Sequence, residues 1–145
     1  MPTQDFKGTL NGNTPGNAGI IGIASALLDM NITTDQILTI NYPPGYTKLL
    51  IQSIKAYNPS ISLTTAVGGI YTAAAKGGVE VVAATQVYSA LTTNAVETAG
   101  DQVNLAIVAP FAASYITRTV LYFSLTTAQG AAATMNIHIY AYALP

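Results

Sequence analysis

The most regular part of the chain is its last quarter. Leu121, Phe123 and Leu125 alternate with Tyr122, Ser124 and Thr126, and Ile137, Ile139, Ala141 and Ala143 alternate with Asn136, His138, Tyr140 and Tyr142. Successive side chains of a strand point to opposite faces, so each run predicts a half-buried antiparallel strand, with Gln129-Gly130 as a turn between them. Residues 102–108 alternate in the same way until Pro110. Residues 68–74 and 79–83 flank Lys76-Gly77-Gly78 and predict a hairpin whose glycines take positive φ without a Cβ clash. Residues 48–57 fit two periods, because Leu50, Ile54 and Tyr57 sit at helical spacing while Leu49, Leu50, Ile51 and Ile54 favour a strand. The strand is the better reading, and the phase change at Gln52 and Ser53 predicts a bulge there. Residues 37–42 read as a strand ended by Pro43-Pro44-Gly45. Residues 20–30 fit a buried strand or a short helix, and residues 87–96 a short helix or a loop.

This pattern predicts an all-β domain, an antiparallel β-sandwich of jelly-roll-like type with seven or eight strands, spanning residues 20–145 as a single domain. Residues 1–19, with Asn11-Gly12-Asn13-Thr14-Pro15-Gly16-Asn17, carry neither period and read as an N-terminal arm. Such an arm either wraps a neighbour or is a frayed end without a role.

Composition then narrows the function. Only 8% of the residues are Asp, Glu, Lys or Arg, against about 25% in an ordinary domain. With a formal net charge of -1 and Lys7, Lys48, Lys55, Lys76 and Arg118 dispersed along the chain, there is no basic field for nucleic acid. Residues 119–145 lack charge, but Gln129, Gly130, Asn136 and His138 interrupt them, so no membrane-spanning helix is expected. No basic segment leads into an apolar stretch at the N-terminus, so no secretory signal is read there. The absence of Cys removes disulfides and thiolate metal sites, and no cofactor is expected.

The inventory for catalysis is short. His138 is the single histidine, it falls inside a predicted strand, and neither Ser114 nor Ser124 sits in a nucleophile-elbow motif. Asp29 with Asp35, and Glu97 with Asp101, are the carboxylate pairs to test for hydrolysis, yet each flanks a turn where solvated acids are ordinary. Glu97 and Asp101 are also the better calcium candidates, without EF-hand spacing. Residues 16–22 are glycine-rich but lack the spacing of a phosphate loop, and Asn31-Ile32-Thr33 forms a glycosylation sequon of the kind that arises by chance. The expectation is a protein that is not an enzyme. Nine tyrosines and no tryptophan leave two uses for Tyr122, His138, Tyr140 and Tyr142: a subunit interface, which is favoured, or a stacking platform for sugars.

Tyr57-Asn58-Pro59-Ser60, the run from Gly68-Gly69-Ile70-Tyr71 into Lys76-Gly77-Gly78, and Tyr122-Phe123-Ser124-Leu125-Thr126 together resemble small β-rich virion proteins of tailed bacteriophages, most of all head decoration (cement) proteins. The resemblance covers residues 37–145 and rests on turn and strand signatures. It implies a homo-oligomer, often a trimer, on the outer capsid surface of the virion, binding the major capsid protein across neighbouring subunits. The arm would then supply the clamp, with Pro2, Gln4, Phe6, Lys7 and Leu10 as capsid-binding residues and Phe6 as the apolar anchor. The alternative expectation is a carbohydrate- or receptor-binding domain of a phage fibre or adhesin.

Overall fold

A computed structural model describes residues 19–92, 102–112 and 114–145. Two antiparallel sheets pack face to face. The first contains β1 (Ile20–Asp29), β3 (Lys48–Tyr57), β6 (Gln102–Asn104), β7 (Tyr115–Ile116) and β9 (Thr134–Leu144), and the second β2 (Gln36–Thr39), β4 (Val67–Ala73), β5 (Gly77–Val82) and β8 (Val120–Thr127). In the first sheet β9 lies between β1 and β3, and the far side of β3 is shared by β6 near Tyr57 and β7 near Leu50. In the second the order is β2, β8, β4, β5. A single helical turn, α1 (Ala109–Ala112), separates β6 from β7. No described helix is long and apolar enough to cross a membrane.

The core fills the space between the sheets. Leu49, Ile51, Ile54 and Ala56 from β3, with Ile137, Ile139 and Ala141 from β9, meet Leu121, Phe123 and Leu125 of β8 and Ile70 of β4. Burying each large aliphatic side chain contributes about 1.5–3 kcal/mol. The alternation of β8 and β9 is the predicted one, with Leu121, Phe123, Leu125 and Ile137, Ile139, Ala141, Ala143 inward. These two strands are not a hairpin, however, because the 128–133 connection crosses from one sheet to the other.

Residues 20–29 resolve as a strand. The inward set there shifts phase at Ile23 and Ala24, both buried, because β1 inserts one residue between the pairs Gly22↔Tyr140 and Ala24↔Ile139. The bulge expected in β3 is present as well, with Gln52 unpaired between Ile51↔Ala141 and Ser53↔Tyr140.

Elsewhere the structure corrects the reading. The strand expected over 37–42 stops at Thr39, since Ile40 N–H donates to Thr119 O while Asn41 N–H turns to Ile23 O in the other sheet. The strand expected over 102–108 is only three residues long, for the same reason. Leu105 N–H donates to Ile54 O of the first sheet and Val108 N–H to Val81 O of the second, so the segment bridges the two sheets. Residues 87–92 hold no helix: Val87 pairs singly with Val67, and Tyr88 drops into the core. Residues 1–18 of the expected 1–19 arm, residues 93–96 of the 87–96 segment, Glu97 and Asp101 lie outside the described residues.

The β4–β5 hairpin exists, but its turn is displaced towards the N-terminus. Gly77 N–H closes on Ala74 O, and the two central residues are Ala75 and Lys76, at φ 58 and 59. Two consecutive left-handed residues define a type I′ turn, which favours Asn-Gly. The Asp35 carboxylate accepts from Ala75 N–H and Lys76 Nζ donates to Thr33 O, so the 33–35 loop holds the strained turn in place. Ala75→Asn is therefore expected to raise stability by about 0.5–1 kcal/mol by relieving left-handed strain. An unchanged urea midpoint would contradict this.

Tyr88 is fully buried and its hydroxyl donates to Gly68 O. Burial, and then the neighbouring Tyr71 phenol, push its pKa far above the ordinary tyrosine value. The fold thus favours the neutral phenol. Its contribution is intact below about pH 10 and is lost above it, by up to about 1.4 kcal/mol per pH unit. The urea midpoint should drop between pH 8 and pH 11, and Tyr88→Phe should flatten part of that drop.

A candidate docking face on the first sheet

The outward side chains of the first sheet form transverse rows set by register. One row runs Ile20, Tyr142, Leu50, Tyr115 across β1, β9, β3 and β7. The next holds Gly22, Tyr140 and Ser53, then come Ser25, His138, Lys55 and Asn104, then Leu27, Asn136, Tyr57 and Gln102. Four of the large apolar residues here are open to solvent: Leu27 at 65%, Tyr115 at 56%, Ile20 at 53% and Tyr142 at 40%. Exposed apolar residues scattered singly need no explanation, but here Ile20, Tyr142 and Tyr115 fall in one row, with the half-buried Leu50 between the two tyrosines.

Three of the rings on this face, those of His138, Tyr140 and Tyr115, are already engaged within the molecule. His138 and Tyr140, two residues apart on the same side of β9, stack at 4.6 Å between centroids and 12° between planes. Gly22 makes room for the imidazole, whose Nε2 lies 2.7 Å from the point a Cβ on Gly22 would occupy. Lys48 Nζ sits 5.3 Å from the centre of the Tyr115 ring, a cation–π distance. Each contact takes one face of a ring that a sugar would need for stacking. Lys55 Nζ donates to Asn104 Oδ1, and Asn58 Nδ2 to Asn136 Oδ1, which fixes the polar rows.

Tyr122 does not belong to this surface. It stands on β8 in the second sheet, between Ile37 and Tyr71, so Tyr122 and the pair Tyr140 and Tyr142 cannot form one platform. Tyr71 is buried beside it, opposite Glu80, and its hydroxyl has no hydrogen-bond partner. Burial, then Glu80 and Asp35, raise its pKa.

The candidate chemical residues are dispersed among structural tasks. Ser124 is in the other sheet from His138, and its buried hydroxyl donates to Thr33 O. The Asp29 carboxylate accepts from Asn31 N–H and that of Asp35 from Ala75 N–H, as turn caps. Asn31 uses its own Oδ1 to accept from Gly130 N–H. Among the described residues no three His, Cys, Asp or Glu side chains gather as a metal site.

Two of the strand edges, those of β1 and β5, are tied down by local contacts. The Gln36 side chain bonds both the N–H and the C=O of Asp29 on β1, and Ile23 O of the same strand accepts from Asn41 N–H. On the opposite side β5 is met by Val108 at Val81 and by Ile107 at Val82. Edges tied in this way resist strand addition.

No protein-family model, curated protein or solved structure matches this chain.

Proposed function

We propose that this chain is a structural virion protein that decorates a bacteriophage capsid from its outer surface, stabilising the shell by binding across neighbouring capsid subunits. The observation that carries this reading is the outward row of Ile20, Tyr142, Leu50 and Tyr115, of which Ile20, Tyr142 and Tyr115 are open to solvent, on a sheet whose β1 edge is tied down by Gln36 and Asn41. The strand order supports it by analogy. If β6 and β7 count as one interrupted strand, the two sheets have the order β1, β9, β3, β6/β7 over β2, β8, β4, β5. We read this order as the winding of a jelly roll, an architecture used by viral capsid and lectin domains alike. The low charge fits a surface that is desolvated on assembly, because few unpaired ions have to leave water.

Of the two readings the fold analogy allows, protein docking is better supported than sugar stacking. His138 and Tyr140 occupy each other's ring faces, and Lys48 covers that of Tyr115. The homotrimer and the arm contacts through Pro2, Gln4, Phe6, Lys7 and Leu10 belong to the same proposal.

The test is co-sedimentation of the full chain with shells assembled from the major capsid protein encoded alongside it. Bound chain should raise the temperature at which shells open, in proportion to the logarithm of its concentration above Kd. Shells that neither retain the chain nor gain heat resistance would end the proposal.

A further inference from the structure

We infer that the outer face of the first sheet takes a carboxylate-bearing protein surface, with Lys48 and Lys55 as the ion-pairing anchors beside an apolar centre made by Tyr142 and Leu50. The inference rests on the decoration reading and specifies the chemistry of the partner at that face.

Charge placement is the first argument. Across the chain, acids slightly outnumber bases, six to five. On this face the order is reversed. Lys48 and Lys55 both point outward from β3, and among the described residues neither meets a carboxylate: Lys48 rests on the Tyr115 ring and Lys55 on the Asn104 amide. The acid in these strands is Asp29, at the far end of β1, and its carboxylate already accepts from Asn31 N–H. The other two described cations, Lys76 and Arg118, are bonded to the carbonyls of Thr33 and Thr72, outside these rows. A surface with two cations, no free acid between them among the described residues and an apolar row alongside is the complement of an apolar patch rimmed with Asp or Glu.

Self-association through the same face fits less well. Two copies placed face to face would bring four lysines into one interface with no free acid among the described residues of the face to meet them, a like-charge arrangement that disfavours the complex. Strand addition is disfavoured by the Gln36 and Asn41 contacts along β1. The size is adequate for docking. Four strands about 4.8 Å apart and ten residues rising about 3.3 Å each give a face on the order of 600 Å², near the roughly 800 Å² that each partner contributes to a standard interface.

The experiment measures binding of the full chain to the assembled shells at low and high salt, using wild type, Lys48→Glu/Lys55→Glu, Tyr142→Ala and, as a control outside the face, Lys76→Glu. All variants are first checked for a native circular dichroism spectrum and urea midpoint. The double charge reversal should weaken binding about 100-fold, since each substitution turns attraction into repulsion. Tyr142→Ala should cost about tenfold, as for a central aromatic contact. Wild-type affinity should fall as salt rises, and Lys76→Glu should bind as wild type does. If wild type binds and the double variant binds equally well, the inference is overturned while the decoration reading stands. If wild type does not bind, both fall. Two further results would also overturn it: a charge reversal that changes the sedimentation coefficient of the free chain and not its shell affinity, which assigns the face to a second copy, or displacement of the chain from shells by polygalacturonate but not by a neutral glucan, which assigns it to an acidic glycan.

Discussion

Gly69→Ala is expected to destabilise the protein by about 3 kcal/mol or more, lowering Tm by roughly 10 °C, because the added carbon has nowhere to go. A Cβ at Gly69 would stand 2.2 Å from Val82 O and 2.7 Å from Ala83 O. Both are backbone atoms, and rotamer changes cannot move them away. β4 is an interior strand, held between β8 and β5, so relief requires one of those pairings to open. Gly45 is the contrast: its φ is +85 but no atom lies within 4 Å of the corresponding Cβ, so alanine there should cost only the left-handed strain of about 1–2 kcal/mol. Thermal melts of the two variants beside wild type decide the matter. A Gly69→Ala protein melting within about 3 °C of wild type would show that the second sheet yields far more easily than native packing allows.

Phe123→Ala should cost about 3–5 kcal/mol, the range for removing a buried aromatic ring. Phe123 is fully buried on the inner face of β8 and meets Tyr88 edge to face, with centroids 6.1 Å apart and planes at 62°. The loss has two parts, the ring's transfer from water and the cavity it leaves beside Tyr88. Phe123→Leu should lose much less, about 1–2 kcal/mol, because most of the volume stays filled. Urea denaturation at pH 7 measures both. Equal midpoints for the alanine and leucine variants would mean that the core around Tyr88 collapses onto the gap.

What could be read from the chain divides along physical lines. Side-chain direction within one strand has period two, so the inward sets of β8 and β9, and even the extra residue at Gln52, were visible from residues 48–57 and 121–143. Partner choice leaves no such trace. β8 and β9 alternate alike, yet they belong to different sheets, and grouping Tyr122 with Tyr140 and Tyr142 failed for that reason. The same blindness to register hid Ile20, Leu50 and Tyr115, each from a different strand, whose alignment with Tyr142 makes the exposed row. Leu27 offered a local sign, an apolar residue at an outward position of a strand, but that strand was still ambiguous with a helix. The 102–108 segment misled because alternation records burial and not which sheet supplies the hydrogen bonds. At the β4–β5 turn the expected positive φ is present at Gly78 but not at Gly77, and the two central residues, Ala75 and Lys76, adopt φ values that propensity assigns to glycine.

The unpaired residues Ile23 and Gln52 stand on either side of β9 at one level, that of Tyr140. Extra residues of this kind bend and overtwist their strands. The extra residue in each neighbour of β9 also decides which side chains share a face. Leu50 and Lys55 are five positions apart and Ile20 and Leu27 seven, separations that unbroken alternation would send to opposite sides. One insertion per strand brings all four to the same side, so a single residue in each of β1 and β3 sets the composition of the whole outer surface.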